Sequence, residues 1–206
     1  MFKIIEPIIN DINNTKYNNI KNKEKLEEYN LENENIKLES SVEIRACKFS
    51  NIIFDKSEIK FTNLEDSIFI NCDLSNINFI DTSFYRVKFI NCKLVGTNFI
   101  DCDINNLIIE DSMCDLINIA GTKLKNIKLS NSNFKESTFM ECIIKNAIIT
   151  DINFNKSEIL NTPLKDIDLS SNNLEGISTD LNSIKEMIIN YYQAMDLIEL
   201  LGVKIK

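Results

Sequence analysis

The sequence contains no histidine and no tryptophan, and only two prolines and four glycines among its 206 residues. The missing histidine removes the side chain that most often acts as a general base and most often ligates metals. So few glycines and prolines argue against a fibrous or structureless chain. Long apolar runs are also missing, so the sequence predicts no membrane-spanning helix. The length suits one domain, or one repeat array with end pieces.

Basic residues are also fewer than acidic ones. There are 23 lysines and arginines against 31 aspartates and glutamates, which gives a net charge of −8 and a pI of about 4.8. This balance argues against nucleic-acid binding through a basic patch. Glu6, Pro7 and Asp11 interrupt the apolar residues at the start of the chain, which makes a poor signal peptide. We therefore expect a cytoplasmic protein with reduced thiols.

A five-residue period organises most of the chain. In residues 72–101 the third residue of every block of five is large and apolar, and a period of five matches neither a helix nor a flat strand. With that residue taken as the centre of its block, the register holds at every fifth position from Ile44 to Leu174. Each centre is Phe, Leu or Ile except Cys114, and ten of the twelve phenylalanines stand at a centre. This pattern predicts a solenoid in which each block buries one anchor and the blocks stack.

The energetics require a long array. A buried Leu, Ile or Phe contributes about 1.5–3 kcal/mol, whereas ordering each residue's backbone costs about 1–2 kcal/mol. An isolated coil should therefore be unfolded, and pairing between stacked coils must supply the rest. The fifth position of many blocks holds Asn or Gly, which tolerate a positive φ at a turn: Asn51, Asn71, Asn91, Asn126, Asn131, Asn146, Gly96, Gly121 and Gly176.

The blocks CDLSN, TNFID and SNFKE resemble the pentapeptide repeat pattern, roughly small–(Asp/Asn)–(Leu/Phe)–x–x, over about two thirds of the chain. The resemblance implies a right-handed quadrilateral β-helix with four blocks per coil, in which the centre and the residue two before it point inward. About seven coils spaced by ~4.8 Å would stand roughly 32 Å tall. We therefore predict an all-β solenoid at residues 42–176, preceded by a non-repeat segment at 1–41 and followed by a capping and dimerisation element at 177–206.

Residues 1–41 do not keep the register. Leu26, Leu31 and Ile36 are spaced by five, so a partial coil in a different phase is one interpretation, and a short helix over residues 23–30 is the other. In either case we expect the segment to fold back on the ladder or to plug its open end.

The C-terminal string YQAMDLIELLGVKI closely resembles the last element of quinolone-resistance pentapeptide proteins, with its Tyr-Gln-Ala start and Leu-Gly-(Ile/Val) finish. In that family the element caps the β-helix and forms the homodimer. The resemblance implies a dimer contact through Tyr191, Ala194, Met195, Ile198 and Leu201. From the residues themselves we predict strands over 187–189 and 203–205 and a helix over 191–201, with Asn190 as its N-cap and Gly202 as its stop.

The six cysteines are predicted to be buried structural residues. Cys114 is a centre, and the other five lie two positions before a centre: Cys47, Cys72, Cys92, Cys102 and Cys142. Buried thiols behave as small apolar side chains, and without histidine a zinc site has little support. No nucleophile elbow, phosphate-binding loop or metal signature is present, and a solenoid filled by its own anchors has no cleft. We predict no catalytic residue, cofactor or metal.

Sorting the blocks by a step of twenty brings acidic residues together on one face. Its centres are Ile59, Phe79, Phe99, Ile119, Phe139 and Ile159, and its acids are Glu58, Asp81, Asp101, Glu141 and Glu158, with Lys60 as the only base. Beside the acids runs an outward apolar column of Ile80, Ile100, Ala120, Met140 and Leu160. This acidic–apolar face is typical of a partner-binding surface. The alternative is that the N-terminal segment covers the apolar column.

The resemblance to quinolone-resistance proteins implies a duplex-DNA mimic that binds type II topoisomerase, either DNA gyrase or topoisomerase IV. Duplex DNA carries one charge per ~1.7 Å, far more than this ladder. The register also runs through residues 42–176 without the projecting loops of Gram-negative resistance proteins, as in the mycobacterial type. The alternative is a dimeric interaction scaffold with an unknown cytoplasmic protein partner and no topoisomerase activity. Neither interpretation involves direct binding of nucleic acid or membrane.

Overall fold

A computed structural model of the protein describes residues 2–38, 40–55 and 58–198. The chain winds into a parallel β-solenoid of about eight coils, which confirms the predicted fold class. From residue 43 onward, the strands of neighbouring coils stack residues that are twenty positions apart, as Phe79 stacks on Phe99 and Phe84 on Ile104. Four blocks of five therefore make one coil, and the coils are counted here from the N-terminus.

The strands of the described chain form three parallel sheets. The first sheet contains β1 (Asn13–Asn14), β2 (Lys25–Glu27), β3 (Tyr29–Glu32), β5 (Glu43–Arg45), β6 (Lys48–Ser50), β9 (Asn63–Ile70), β11 (Ser83–Ile90), β13 (Asp103–Glu110), β15 (Lys123–Ser130) and β17 (Ile143–Thr150). The second contains β8 (Glu58–Lys60), β10 (Asn78–Ile80), β12 (Asn98–Ile100), β14 (Asn118–Ala120), β16 (Thr138–Met140), β18 (Glu158–Leu160) and β19 (Ser178–Thr179). The short third sheet pairs β4 (Asn35–Ile36) with β7 (Ile53–Phe54).

Left-handed residues turn the corners. Every fifth described residue from Ser41 to Asp166 has a φ between 48° and 66°, and the Asn and Gly positions named above are among the left-handed residues. The same conformation is imposed on Ala46, Phe61 and Leu116, for which it costs about 1–2 kcal/mol each. Local preference does not explain these three corners, so the stacking of neighbouring coils must hold them.

One continuous apolar core fills the solenoid. Every centre from Ile44 to Leu174 is buried except Ile144, which is half-buried. Phenylalanine rings stack from coil to coil along the core, with 4.8 Å between the ring centroids of Phe49 and Phe69 and again between those of Phe69 and Phe89. The prediction that a residue's place in its block decides its burial is therefore confirmed.

The first coil is formed by part of residues 1–41, the segment for which the sequence allowed two interpretations. β2, β3 and β4 pair with β5, β6 and β7, so that Leu26 stacks on Ile44 and Leu31 on Phe49. The step here is eighteen residues instead of twenty, which is why the segment is out of phase with the rest. The partial coil is confirmed. The helix over residues 23–30 is wrong, because β2 lies within those residues and buries Leu26, and β3 begins at Tyr29.

Residues 2–12 form an N-terminal strap that runs lengthwise along one corner of the solenoid. β1, which follows the strap, pairs with β3 in the first coil. The Ile8 N–H donates to Asp66 Oδ1 in the third coil (2.8 Å), and the Ile5 N–H donates to Asn106 Oδ1 in the fifth (2.9 Å). Two coils span ~9.6 Å, a distance that three extended residues cover. The expectation that the segment folds back on the ladder is confirmed.

Two short helices, α1 (Leu181–Ile184) and α2 (Tyr191–Ile198), close the C-terminal end. The Asp180 carboxylate caps α1: it accepts a hydrogen bond from the Ser183 hydroxyl and from the N–H groups of Ser183, Asn182 and Asn161. These bonds, the Ser183 hydroxyl foremost, lower the pKa of Asp180 to about 2. No helix in the described ranges is both long and apolar enough to cross a membrane.

α2 is tied to the last coil through Asn190 and Gln193. Asn190 is the N-cap, as predicted, since its Oδ1 accepts from the N–H groups of Tyr192 (2.8 Å) and Gln193 (3.0 Å). The buried Gln193 amide donates to the carbonyls of Leu169 (2.8 Å) and Asn172 (2.6 Å). The strand expected at 187–189 is reduced to a single bridge between Ile188 and Asp168. The rest of the predicted helix, Gly202 and the strand at 203–205 lie outside the described residues.

The first sheet ends at β17 because the next coil changes its backbone. Pro163 stands above Ile143 and has no N–H, whereas Ile143 and Lys123 each donate to the coil below, to Thr122 O (3.1 Å) and Cys102 O (2.9 Å). β17 is therefore an edge strand. Its inward residues Ile144 and Ala147 are only half-buried, and a cavity of about 20 Å³ lies behind Ile144.

We expect Phe99→Ala to lower the free energy of unfolding by about 3–5 kcal/mol. The Phe99 side chain is 1% exposed, and its ring centroid lies 5.2 Å from that of Phe79, so truncation leaves a cavity between two coils. Urea unfolding followed by circular dichroism measures the loss. Phe61→Ala is the matched control, since Phe61 is 68% exposed, and it should cost less than about 0.5 kcal/mol. A loss below about 1 kcal/mol for Phe99→Ala would contradict this packing.

Candidate interaction surface

The acidic–apolar face is the outer side of the second sheet. Its strands place the apolar column in strict register, with Ile80 on Ile100, then Ala120, Met140 and Leu160. At ~4.8 Å per coil the column is about 19 Å long. Met140 is 36% exposed and the other four side chains are half-buried. The structure therefore brings together the five apolar residues that the sequence predicted for this face.

The acids of this face flank the column on both sides. Asp81, Asp101 and Glu141 are exposed left-handed corner residues on one side, with φ values of 49°, 53° and 54°. Glu158 is half-buried and belongs to β18, so it lies on the other side of the column. The side chain of Glu58 lies outside the described residues. Three of the predicted acids thus form a line along one edge, and a fourth stands across the column from them.

Gly121 occupies the place in the acidic line between Asp101 and Glu141. A Cβ atom at Gly121 would overlap Asp101 Oδ1, so the carboxylate of Asp101 occupies the space that a side chain would fill. The absence of a side chain at this corner allows the Asp101 carboxylate to lean toward Glu141. The corner also has a φ of 60°, which glycine adopts without strain.

Phe61 is a part of this surface that the sequence reasoning missed. It occupies the same corner column one coil before Asp81, it is 68% exposed, and its N–H donates to Ile80 O (3.2 Å). Its position was readable from the register, because residue 61 is a fifth position and every fifth position points outward at a corner. An exposed aromatic ring therefore begins the acidic line.

A ladder of asparagine side chains borders the apolar column on the side of Glu158. Asn98 Nδ2 donates to Asn78 Oδ1 (2.6 Å), and Asn118 Nδ2 donates to Asn98 Oδ1 (3.0 Å). These bonds fix the side chains between coils and complete a flat surface of amides, apolar residues and carboxylates. Such a surface is preorganised, so binding of a partner would cost little entropy for ordering the side chains of this protein.

The N-terminal strap does not cover the apolar column. Its backbone bonds to Asp66 and Asn106 and its Glu6 pairs with Lys88 at 3.5 Å, all on or beside the corner between the two halves of the first sheet. The alternative in which the N-terminal segment lies over Ile80 and Ile100 is wrong, because the hydrogen-bond acceptors for extended backbone are at that other corner.

The predicted dimer residues lie on α2 with different exposures. Tyr191 is 79% and Met195 is 44% exposed, and Ala194 and Ile198 are half-buried. Leu201 lies outside the described residues. The structure adds Tyr192, which is 82% exposed and packs edge-on against Tyr191 with 5.9 Å between ring centroids. The sequence reasoning left Tyr192 out, although it begins the string that resembles the family's C-terminal element.

All six cysteines are buried and free of disulfide bonds. Burial raises the pKa of the Cys47 thiol to about 11 and that of Cys102 to about 12, so neither is nucleophilic at neutral pH. Their thiols donate weakly to carbonyls of their own and the neighbouring coil, as Cys102 Sγ does to Phe79 O and Ile100 O. The predicted inward orientation of the cysteines is confirmed. Among the described residues no group of three or more Cys, Asp and Glu is arranged to hold a metal ion.

Comparison with known proteins agrees with this architecture. The family model described as "Pentapeptide repeat region" matches residues 42–118 and 82–162. A comparison of the sequence with curated proteins finds no match.

Several solved structures match this chain at low sequence identity. A trypsin-treated variant of QnrB1, a plasmid-mediated fluoroquinolone resistance protein, is 19% identical with a TM-score of 0.46, covering 95% of this chain and 99% of its own. HetL, a pentapeptide repeat protein involved in heterocyst differentiation regulation in the cyanobacterium Nostoc sp. strain PCC 7120, is 13% identical with a TM-score of 0.29, covering 80% and 86%. A pentapeptide repeat protein of the Arabidopsis thaliana thylakoid lumen is 19% identical with a TM-score of 0.35, covering 53% and 70%.

With these low identities and TM-scores, the solved structures carry no argument about the fold or the function of this chain. The family match is stronger evidence, because its two segments together cover residues 42–162, more than half of the sequence. Those residues are the ones that build the second to seventh coils, in which every anchor except the half-buried Ile144 is buried. The chain therefore belongs to the pentapeptide repeat family.

Proposed function

We propose that this protein is a non-enzymatic, cytoplasmic interaction solenoid whose contact surface is the acidic–apolar face. The observation that supports this function is the apolar column, which stays partly exposed over five consecutive coils between rows of polar side chains. Contiguous apolar surface with a polar rim is characteristic of protein-binding sites. The burial of all six thiols, the raised pKa of the Cys47 and Cys102 thiols and the absence of histidine support the non-enzymatic part of the proposal.

The chemistry of the face indicates the kind of partner. Asp81, Asp101 and Glu141 would attract a basic rim and speed its approach. The apolar column would supply the desolvated centre of the contact, and the exposed Phe61 ring, which begins the acidic line, would add apolar surface beside it. The partner is therefore expected to present an apolar ridge about 19 Å long, flanked on one side by lysine or arginine residues.

We expect a photo-crosslinking residue at Met140 to capture a defined partner in the native cell. The matched control is the same residue at Met113, which is 53% exposed and lies on another face of the solenoid. The adduct at Met140 should weaken when Asp101 and Glu141 are changed to Asn and Gln, because the acidic rim orients the partner. Equal adducts at both methionines, unaffected by these changes, would contradict the assigned face.

Type II topoisomerase is a second candidate, and we propose it as a specific partner. The observation that favours it is the line of exposed acids. Asp81 and Glu141 are three coils, or ~14 Å, apart. One DNA strand carries about four phosphates over that length, one per ~3.4 Å. The line holds three carboxylates in that interval, comparable to one strand and well below a duplex. Mimicry of DNA would therefore depend on the rod shape and on this one edge.

We expect the protein to protect DNA gyrase supercoiling against ciprofloxacin if this candidate is correct. The triple variant Asp81→Asn, Asp101→Asn, Glu141→Gln should lose at least fivefold in protection, because it removes the acidic line. A control triple at the exposed Asp103, Asp111 and Asp151 makes the same charge change on other faces and should retain protection. An assay with neither protection nor inhibition at micromolar protein would remove topoisomerase and leave the scaffold function with another partner.

We also propose that the protein is a homodimer joined through the C-terminal element. Tyr191 and Met195 present apolar surface that nothing in the described chain covers, and Ala194 and Ile198 border it. Exposed aromatic and methionine side chains clustered at the end of a solenoid are the composition of an interface core.

We expect light scattering at tens of micromolar to give twice the chain mass of 23.8 kDa. Met195→Asp should restore the monomer, because a charge would be buried without a partner. Met113→Asp, at an exposed methionine far from α2, should leave the dimer unchanged. A wild-type monomer at these concentrations would contradict the proposal.

A further inference from the structure

The N-terminal strap shows how one corner of this solenoid binds an extended peptide. Main-chain N–H groups of the strap donate to side-chain oxygens of Asp66 and Asn106, and Glu6 forms an ion pair with Lys88. Burial would raise the pKa of the Asp66 carboxyl, but the hydrogen bonds from Arg86 and from the Ile8 N–H outweigh it and hold that pKa below its usual range. The acceptor is therefore a carboxylate at neutral pH.

Apolar surface beside this corner is buried in the fifth coil and exposed in the seventh. Ile108 is an outward residue of β13, two residues from Asn106, yet it is 2% exposed. Ile148 occupies the same place two coils later, in β17, and is 40% exposed. Ile108 has a stacked neighbour on each side, Lys88 and Lys128, whereas Ile148 lies on the edge strand β17, which leaves its side chain open to a partner.

The same corner continues into the seventh coil with similar chemistry. Asn126 and Asn146 are its left-handed residues, with φ values of 54° and 61°, and Asn146 Nδ2 donates to Asn126 Oδ1 (2.9 Å). Asn146 is exposed, as are Ile143 (53%) and Ile148 on either side of it. Asn146 therefore carries a corner amide as Asn106 does below, but it has exposed apolar side chains on both sides, whereas Asn106 has Asp103 on one side.

The charge of this region is opposite to that of the rest of the protein. β15 and β17 contain four lysines and no acid: Lys123, Lys125, Lys128 and Lys145. Lys128 pairs with Glu110 at 2.5 Å, while Lys123, Lys125 and Lys145 are exposed. Lys125 and Lys145 stack in adjacent coils, where two like charges repel each other. An anionic partner would relieve that repulsion.

Apolar side chains would find further contacts at this point. β17 is the edge strand of the first sheet, and Ile144 and Ala147, which face inward, are half-buried there. The cavity of about 20 Å³ behind Ile144 is lined by core residues such as Ile127 and Leu164. A ligand that covers Ile143, Ile144 and Ile148 removes apolar area from water, which is the main source of affinity at such a site.

We propose that this surface, the upper corner groove formed by Lys125, Ile143, Lys145, Asn146 and Ile148, binds an extended acidic–apolar segment of a partner protein. The occupant is inferred from the strap, an extended segment whose apolar residues surround Glu6 and which occupies the lower part of the same corner. The lysines complement carboxylates of the segment, the isoleucines its apolar side chains, and Asn146 its backbone. This site is separate from the acidic–apolar face and does not depend on it.

The probe for the test is a fluorescein-labelled peptide with the sequence of residues 2–12, FKIIEPIINDI, added to the full-length protein. Saturable fluorescence anisotropy is expected, weaker at about 300 mM than at about 50 mM salt, because salt screens the lysines. The double variant Lys125→Glu, Lys145→Glu should weaken binding at least fivefold. The matched control Lys135→Glu, Lys156→Glu makes the same charge change on other faces and should bind as the wild type does. Equal loss in both double variants, or in neither, would overturn the proposal.

Hydrogen–deuterium exchange locates the bound peptide. Slower exchange in residues 143–150 supports the upper corner groove. Faster exchange in residues 2–12 without protection at 143–150 would mean that the probe displaces the strap, and this would overturn it. A single-stranded oligonucleotide that binds as tightly as the peptide would also overturn it. Self-association that disappears on removal of residues 2–12 would assign the groove to a second copy of the chain instead.

Discussion

Pairing between residues twenty positions apart is the constraint on which this structure depends. Corner N–H groups donate to carbonyls of the next coil, as Asp81 does to Ile100 O (3.0 Å) and Asp101 to Ala120 O (2.9 Å). These bonds hold Phe61 and Leu116 in a left-handed conformation that neither would adopt alone. The same pairing brings one anchor of each coil against the next, so backbone and core support each other. An isolated coil would have neither the hydrogen bonds between coils nor the packing of its anchors against the next coil.

Pairing at a fixed step also determines which side chains are neighbours on the surface, because every outward residue lies ~4.8 Å from the equivalent residue of the next coil. This arrangement stabilises stacked asparagines, since the amide of one side chain donates a hydrogen bond to the amide of the next, as in the row from Asn78 to Asn118. Stacked charges of the same sign, in contrast, repel each other and destabilise a sheet. The acidic line and the lysines of β15 and β17 are therefore arrangements that folding alone does not favour. This is the physical reason for treating both as binding surfaces.

The place of each residue within its block of five was enough to predict the core, the corners, the burial of the thiols and the location of the acidic–apolar face. It failed where another contact breaks the rule. The first coil is two residues short, so Leu26 and Leu31 follow the period in another phase. The path of the strap depends on acceptors at Asp66 and Asn106 that are distant in sequence. The edge at β17 follows from Pro163, whose position was visible but whose effect on the neighbouring coil was not. Phe61 was predictable and was overlooked.

The strap changes how this array should respond to stress. In a linear repeat protein each unit contacts only its neighbours, so the ends fray independently of the middle. Here one stretch of chain is fastened at the first, third and fifth coils. Loss of the first coil would also release contacts two and four coils away. The N-terminal half is therefore expected to open as one cooperative unit, while the C-terminal half keeps the gradual fraying of an ordinary solenoid.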